Sequence, residues 1–151
     1  MSQSIDAIVS KAILTAYNAS TPLQTAIPGG IHREKVRGPS AGGVQTRPYA
    51  VYKVQKGKSR NKIVSGGTVV DYRLVTFFIY DSASNMATSD AAIGALRSVF
   101  HAQPLTDTSP TYTAISVIEV PVDESKLIVL PQRGGESQWQ AVWQMEVCSQ
   151  I

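Results

Sequence analysis

The run TVVDYRLVTFFIYD, from Thr68 to Asp81, constrains this chain more than any other stretch. It alternates with period two, so Val70, Tyr72, Leu74, Thr76, Phe78 and Tyr80 share one face of a strand. Val69, Asp71, Arg73, Val75, Phe77 and Ile79 share the other, which turns apolar only from Val75 onward. The expectation is a long strand that projects from the body at its start and is buried at its end.

The other elements follow from period and punctuation. Ile5, Ile8, Val9, Ala12, Ile13, Ala16 and Tyr17 fall on one face of a helix over residues 4–18. Ser4 suits its N-cap, and Asn18 with Ser20-Thr-Pro22 ends it. Ile31 to Arg37 reads as an optional short polar strand after the Pro28-Gly-Gly30 turn, and Arg47 to Val54 as a strand with Pro48 at its first position. A second helix runs from about Ala83 to His101, capped by Asp81-Ser82. Three further strands are expected, over Tyr112–Val120, Lys126–Leu130 and Ser137–Cys148. In the last, Trp139 and Trp143 share a face, which reads as core packing or a subunit interface. This order predicts one α+β domain over residues 1–151, a largely antiparallel four- to five-stranded sheet with two helices packed on one face.

At 151 residues the chain can bury a core without disulfides or a metal. One cysteine, Cys148, excludes an intrachain disulfide and a cysteine-based zinc cluster. No segment approaches the roughly 18 apolar residues of a membrane span, and the N-terminus lacks the basic and apolar regions of a secretory signal. The expectation is a protein made in a cytoplasm. Charge is unevenly placed. Ile31 to Lys62 holds nine bases and one acid, Glu34, a net of +8, whereas the remainder nets −5. Eight of the 11 glycines lie between Gly29 and Gly67, so glycine-rich loops and positive charge coincide. The residues singled out for partner or DNA contact are Lys53, Lys56, Lys58, Arg60 and Lys62, five bases without an acid in ten residues, mostly on a mobile basic loop at about 55–67.

Catalytic motifs fail one by one. Gly57-Lys58-Ser59 imitates the end of a P-loop but lacks the earlier glycine and a following helix. No GxSxG elbow, HExxH helix or GxGxxG turn is present. Asp123-Glu124 reads as a solvated turn, His101 as a helix-end or half-buried packing residue, His32 as exposed, and Cys148 as a small packing residue. No catalytic, cofactor or metal residue is assigned, and no enzymatic activity is expected.

Five parts in order carry a resemblance: the N-terminal helix ending at Asn18, the polar IHREKV (31–36), RPYAVYKV (47–54), the long strand running into Tyr80-Asp-Ser82, and a helix ending in ALRSVFHAQPL (95–105) followed by the Trp-rich last strand after a Gly-Gly turn. In this arrangement the chain resembles the tail terminator, or tail completion (tail-to-head joining), proteins of long-tailed bacteriophages. The resemblance implies a structural virion protein that forms a hexameric ring at the head-proximal end of the tail tube, stops tube growth and docks the head connector. It implies no cofactor and no catalysis. The partners are copies of itself, the tail tube protein and a head-completion or connector protein, with sequence-independent contact to genomic DNA in the lumen and none with membrane. The glycine- and lysine-rich residues 55–67 depart from the family. Two other classes fit the same residues: a head-completion or neck protein that binds the portal, and a small basic nucleic-acid-binding module.

Overall fold

Two antiparallel strands of 15 residues each, β4 (Thr68–Ser82) and β8 (Glu136–Gln150), form the spine of the sheet. They pair from Val70 opposite Gln150 to Ser82 opposite Gln138. Each carries two shorter strands end to end along its outer edge. On β4 these are β2 (Tyr49–Lys56), opposite Arg73 to Tyr80, and β3 (Lys62–Val64), opposite Thr68 to Val70. On β8 they are β6 (Thr111–Val120), opposite Gln144 to Ser149, and β7 (Lys126–Leu130), opposite Glu136 to Gln140. Strand β1 (Ile31–Arg33) adds parallel to β2, and β5 (Thr106–Thr108) antiparallel to β6. The path is β1-β2-β4-β8-β6-β5. This computed structural model describes residues 4–34, 46–56, 62–64, 68–82, 86–108, 111–122, 126–130 and 136–150, with side chains within 4–34, 46–56, 70–81, 87–108, 111–122 and 140–149.

The fold is α+β, but the sheet is larger than four or five strands and is mixed, and three helices rather than two are present among the described residues. Strand β1 forms at the start of the optional 31–37 segment, and β3 and β5 are added; all three have three residues each, too few to show a period, and exist because a longer neighbour offers its edge. The added helix, α2 (Thr21–Ala26), starts where the first one stops. Ser20 donates its N–H to the Tyr17 carbonyl at 3.2 Å, ending α1 (Ile5–Ala19), while its side chain accepts from the Leu23 N–H at 3.3 Å and caps α2. Pro22 sits in the first turn of α2, where a missing N–H breaks no bond. Asp81 and Ser82 do not cap a helix; they stay in β4, opposite Trp139 and Gln138, and α3 (Met86–Phe100) begins four residues after Ser82.

Helices α1 and α3 cover one face of the sheet. Tyr52, Phe77 and Trp143 stand in register across β2, β4 and β8 on that face. Phe77 lies 5.5 Å from Tyr52, 5.8 Å from Phe100 of α3 and 5.8 Å from Trp143, between ring centroids. Val9, Ala12 and Ile13 of α1 complete the same buried cluster. The two ends of the strand path both reach α1. Thr15 donates to Asp107 of β5 at 3.3 Å and Lys11 lies 3.7 Å from the same carboxylate, while α1 borders β1 on its other flank.

The start of β4 does not project. Asp71 is 2% exposed, and Arg73 is half-buried beside it. The Arg73 Nε is 3.0 Å from Asp71 Oδ1 and 3.3 Å from Asp6 Oδ1 in the first turn of α1, and its Nη2 donates to Asp71 Oδ2 at 3.1 Å. The polar residues that made this end look solvated are an ion-paired seat for the helix N-terminus.

Candidate assembly surfaces

The basic segment is divided by the strand it starts on. Lys53 and Lys56 are three apart on β2, so they leave opposite faces of the sheet. Lys53 is exposed on the face away from the helices, with Nζ 5.6 Å from the centroid of the Phe78 ring, a cation–π distance. Lys56 is exposed on the helix-covered face, opposite Arg73. Lys62 opens β3 opposite Val70, and its side chain lies outside the described residues, as do Lys58 and Arg60 entirely. Of the segment at 55–67, Gln55 and Lys56 extend β2, and Lys62–Val64 are β3. The structure therefore does not gather the described lysines into one patch.

The face opposite the helices is an aromatic and amide surface. Tyr49 and Tyr80 stack at 5.2 Å, Gln140 Nε2 donates to the Tyr80 hydroxyl at 2.9 Å, and Gln144 Nε2 donates to Thr76 Oγ1 at 3.0 Å. These pairs follow from register, since Tyr49, Tyr80 and Gln140 are cross-strand neighbours. Cys148 is half-buried there opposite Tyr72, and Glu146 lies between Leu74 and Ile118.

A groove of about 450 Å³ runs between α1 and the edge strand β1. Its walls include Ala7, Ser10, Lys11 and Leu14 from the helix, and Ile31 and Arg33 from the strand. Leu14 is 39% exposed and Arg33 is exposed. Gly30 and Glu34 bond to β2, through Ala50 N–H to Gly30 O and Glu34 N–H to Tyr52 O, so the main-chain groups of Ile31 and Arg33 point to the outer edge. The turn into β1 requires its glycines. A Cβ on Gly29 would collide with the Thr46 carbonyl, and Gly30 has φ +85°. His32 is half-buried, not exposed as its polar setting implied, because its Nε2–H reaches the Gly29 carbonyl at 3.0 Å.

On β6 the outer edge is closed by the turn after α3. Ala102 donates to the Val117 carbonyl at 2.8 Å, and the Glu119 N–H donates to His101 Nδ1 at 3.0 Å. His101 thus serves as a sheet-edge cap. Arg97 of α3 clamps the Glu119 carboxylate through Nε at 2.7 Å and Nη2 at 2.9 Å. That hydrogen-bonded guanidinium holds the Glu119 carboxyl below the usual carboxylate range. Beside this clamp a second cavity of about 470 Å³ is bordered by Pro104, Ile115 and Ile118. Ile115 and Ile118 are each 55% exposed; Ile115 sits where the β6 register shifts between Ala114 and Ser116. Leu14, Ile115 and Ile118 are the exposed large apolar residues among those described. In the sequence they are marked only weakly: Leu14 lies off the apolar helix stripe, and the run around Ile115 lacks clean alternation.

Among the described residues no group of three or more His, Cys, Asp or Glu is placed to hold a metal ion. No described helix is long and apolar enough to cross a membrane.

No family model matches the chain, and no curated protein matches it. Among solved structures, a chain in the virion of a native gene transfer agent particle superposes with a TM-score of 0.54 at 13% identity, over 97% of this chain and 96% of its own. A second solved chain, 15% identical, superposes at 0.45 over 95% and 92%, too loosely to carry weight. From end to end, this chain has the fold of a chain found in a gene transfer agent virion.

Proposed function

We propose that the chain is a structural protein of a phage-like virion, which closes the head-proximal end of a tail tube as a ring of identical copies. The observation that carries this reading is the whole-length match to a virion chain, because 97% and 96% coverage leaves neither chain with an unmatched domain. The finer assignment rests on the tail-terminator resemblance in the sequence. In this reading the ring is a hexamer, the tail tube protein meets one face, and a head-completion or connector protein meets the other. The chain turns over no substrate and holds no cofactor. Its work is done by surfaces, and the exposed apolar residues on α1 beside β1 and on β6 supply material for them.

The test is genetic and visual. Removing the chain from a particle-producing strain should leave heads without tails and tubes of uncontrolled length. Labelled chain should appear at the head–tail junction. Portal-bound label with normal tube length would favour the neck reading instead. Monomeric, salt-sensitive DNA binding with no particle defect would favour the nucleic-acid module.

A further inference from the structure

We propose that the α1–β1 groove of one copy receives the β6 patch of the next, with Leu14 packing against Ile115 and Ile118 and Arg33 pairing with Glu146. This deepens the proposed function and rests on it. Both patches are built from described residues, and they share none. The groove exposes one large apolar side chain, Leu14, beside the cation Arg33, its other cation, Lys11, being engaged by Asp107; the β6 patch exposes two, Ile115 and Ile118, beside the half-buried anion Glu146. Arg33 is exposed next to the groove holding Leu14 and has no ion-pair partner among the described residues. Glu146 is the cross-strand neighbour of Ile118 and likewise has none. By contrast, Asp71, Asp107 and Glu119 on the other face are engaged by Arg73, Lys11 and Arg97. A cation without an ion-pair partner beside one apolar patch and an anion without one beside the other give the complementarity of two surfaces that meet. Because the patches differ, the contact is heterologous, and repetition of one such contact gives a ring when the rotation closes. A second copy is therefore the occupant that fits both patches at once.

The experiment is a charge exchange read by sedimentation of the full chain. Arg33→Glu and Glu146→Arg, each alone, place like charges in the contact and should raise the concentration for assembly by about tenfold or more. The double variant R33E/E146R restores an opposite pair between copies and should return assembly to near the wild-type concentration. Ile118→Asp should weaken assembly without lowering the melting temperature, since the side chain is exposed. Circular dichroism of each variant separates loss of assembly from loss of fold. Rings that form equally well in both single variants, or a double variant no better than the worse single one, overturn the contact and leave the virion assignment standing. A wild-type chain that stays monomeric both in solution and in particles overturns the ring itself, and this contact with it.

Discussion

Phe77 is the residue on which the interior turns, because Tyr52, Phe100 and Trp143 all stack or tilt against its ring. Trp143 is 2% exposed and touches both the strand and the helix side of this cluster, so Trp143→Ala should cost about 3–5 kcal/mol, read as a lowered denaturation midpoint. Its strand, its face and its packing near the second long helix are all legible in the alternation of the last strand; Trp139 falls at the matching position, with its side chain outside the described residues. Glu119 illustrates a residue whose role is not legible, since Arg97 lies 22 positions away and only the α3–β6 packing brings them together. Its carboxyl titrates below the unfolded value, so the clamp stabilises fully above the unfolded pKa and is lost as pH falls through the folded one. Arg97 is about half exposed, which limits the gain to roughly 0.5–1 kcal/mol. Glu119→Gln should therefore be less stable than wild type at about pH 7, and the gap should close between about pH 5 and pH 3. A gap independent of pH would locate the effect in packing instead.

The elements separate into those that carry a period and those that borrow one. Strands β2, β4, β6, β7 and β8 and helices α1 and α3 have enough residues for alternation or a helical stripe to show, and each is legible in the sequence to within a few positions. Strands β1, β3 and β5 have no period of their own and are specified by the neighbour they pair with. Helix α2 escapes notice because a proline reads as a stop, whereas in a first turn it is compatible with a start. The largest misreading concerns the beginning of β4, where charge signals solvent unless a partner is known. That partner is α1, whose Asp6 shares Arg73 with the buried Asp71. Arg73→Met should strand the Asp71 carboxylate and cost about 3–5 kcal/mol in thermal or chemical unfolding, while the double variant D71L/R73M should recover most of that loss. Equal instability of the two would show that shape rather than charge seats the helix.

At the scale of the whole molecule, the strand path bends until β1 and β5 both meet α1, so one helix closes the sheet and leaves a groove on its β1 side. The opposite face keeps its aromatic and amide residues free of helices, with Lys53 over Phe78. The charge asymmetry of the chain belongs to this scale as well. Six copies in a ring would bring together about two dozen positive charges from Lys56, Lys58, Arg60 and Lys62, which favours neutralisation by DNA phosphates or an acidic neighbouring ring. Changing these four residues to Ser should leave tail length normal and reduce head joining; overlong tails would place the segment on the tube side, and wild-type infectivity would show that it touches neither partner. Whether this fold serves as a ring is read from the mass and rotational symmetry of the purified full chain by sedimentation and electron microscopy. The expected result is closed rings of about 97 kDa, six times the 16.2 kDa chain, with six-fold symmetry. A monomer at every concentration, together with particles in which the chain shows no rotational symmetry, would contradict it.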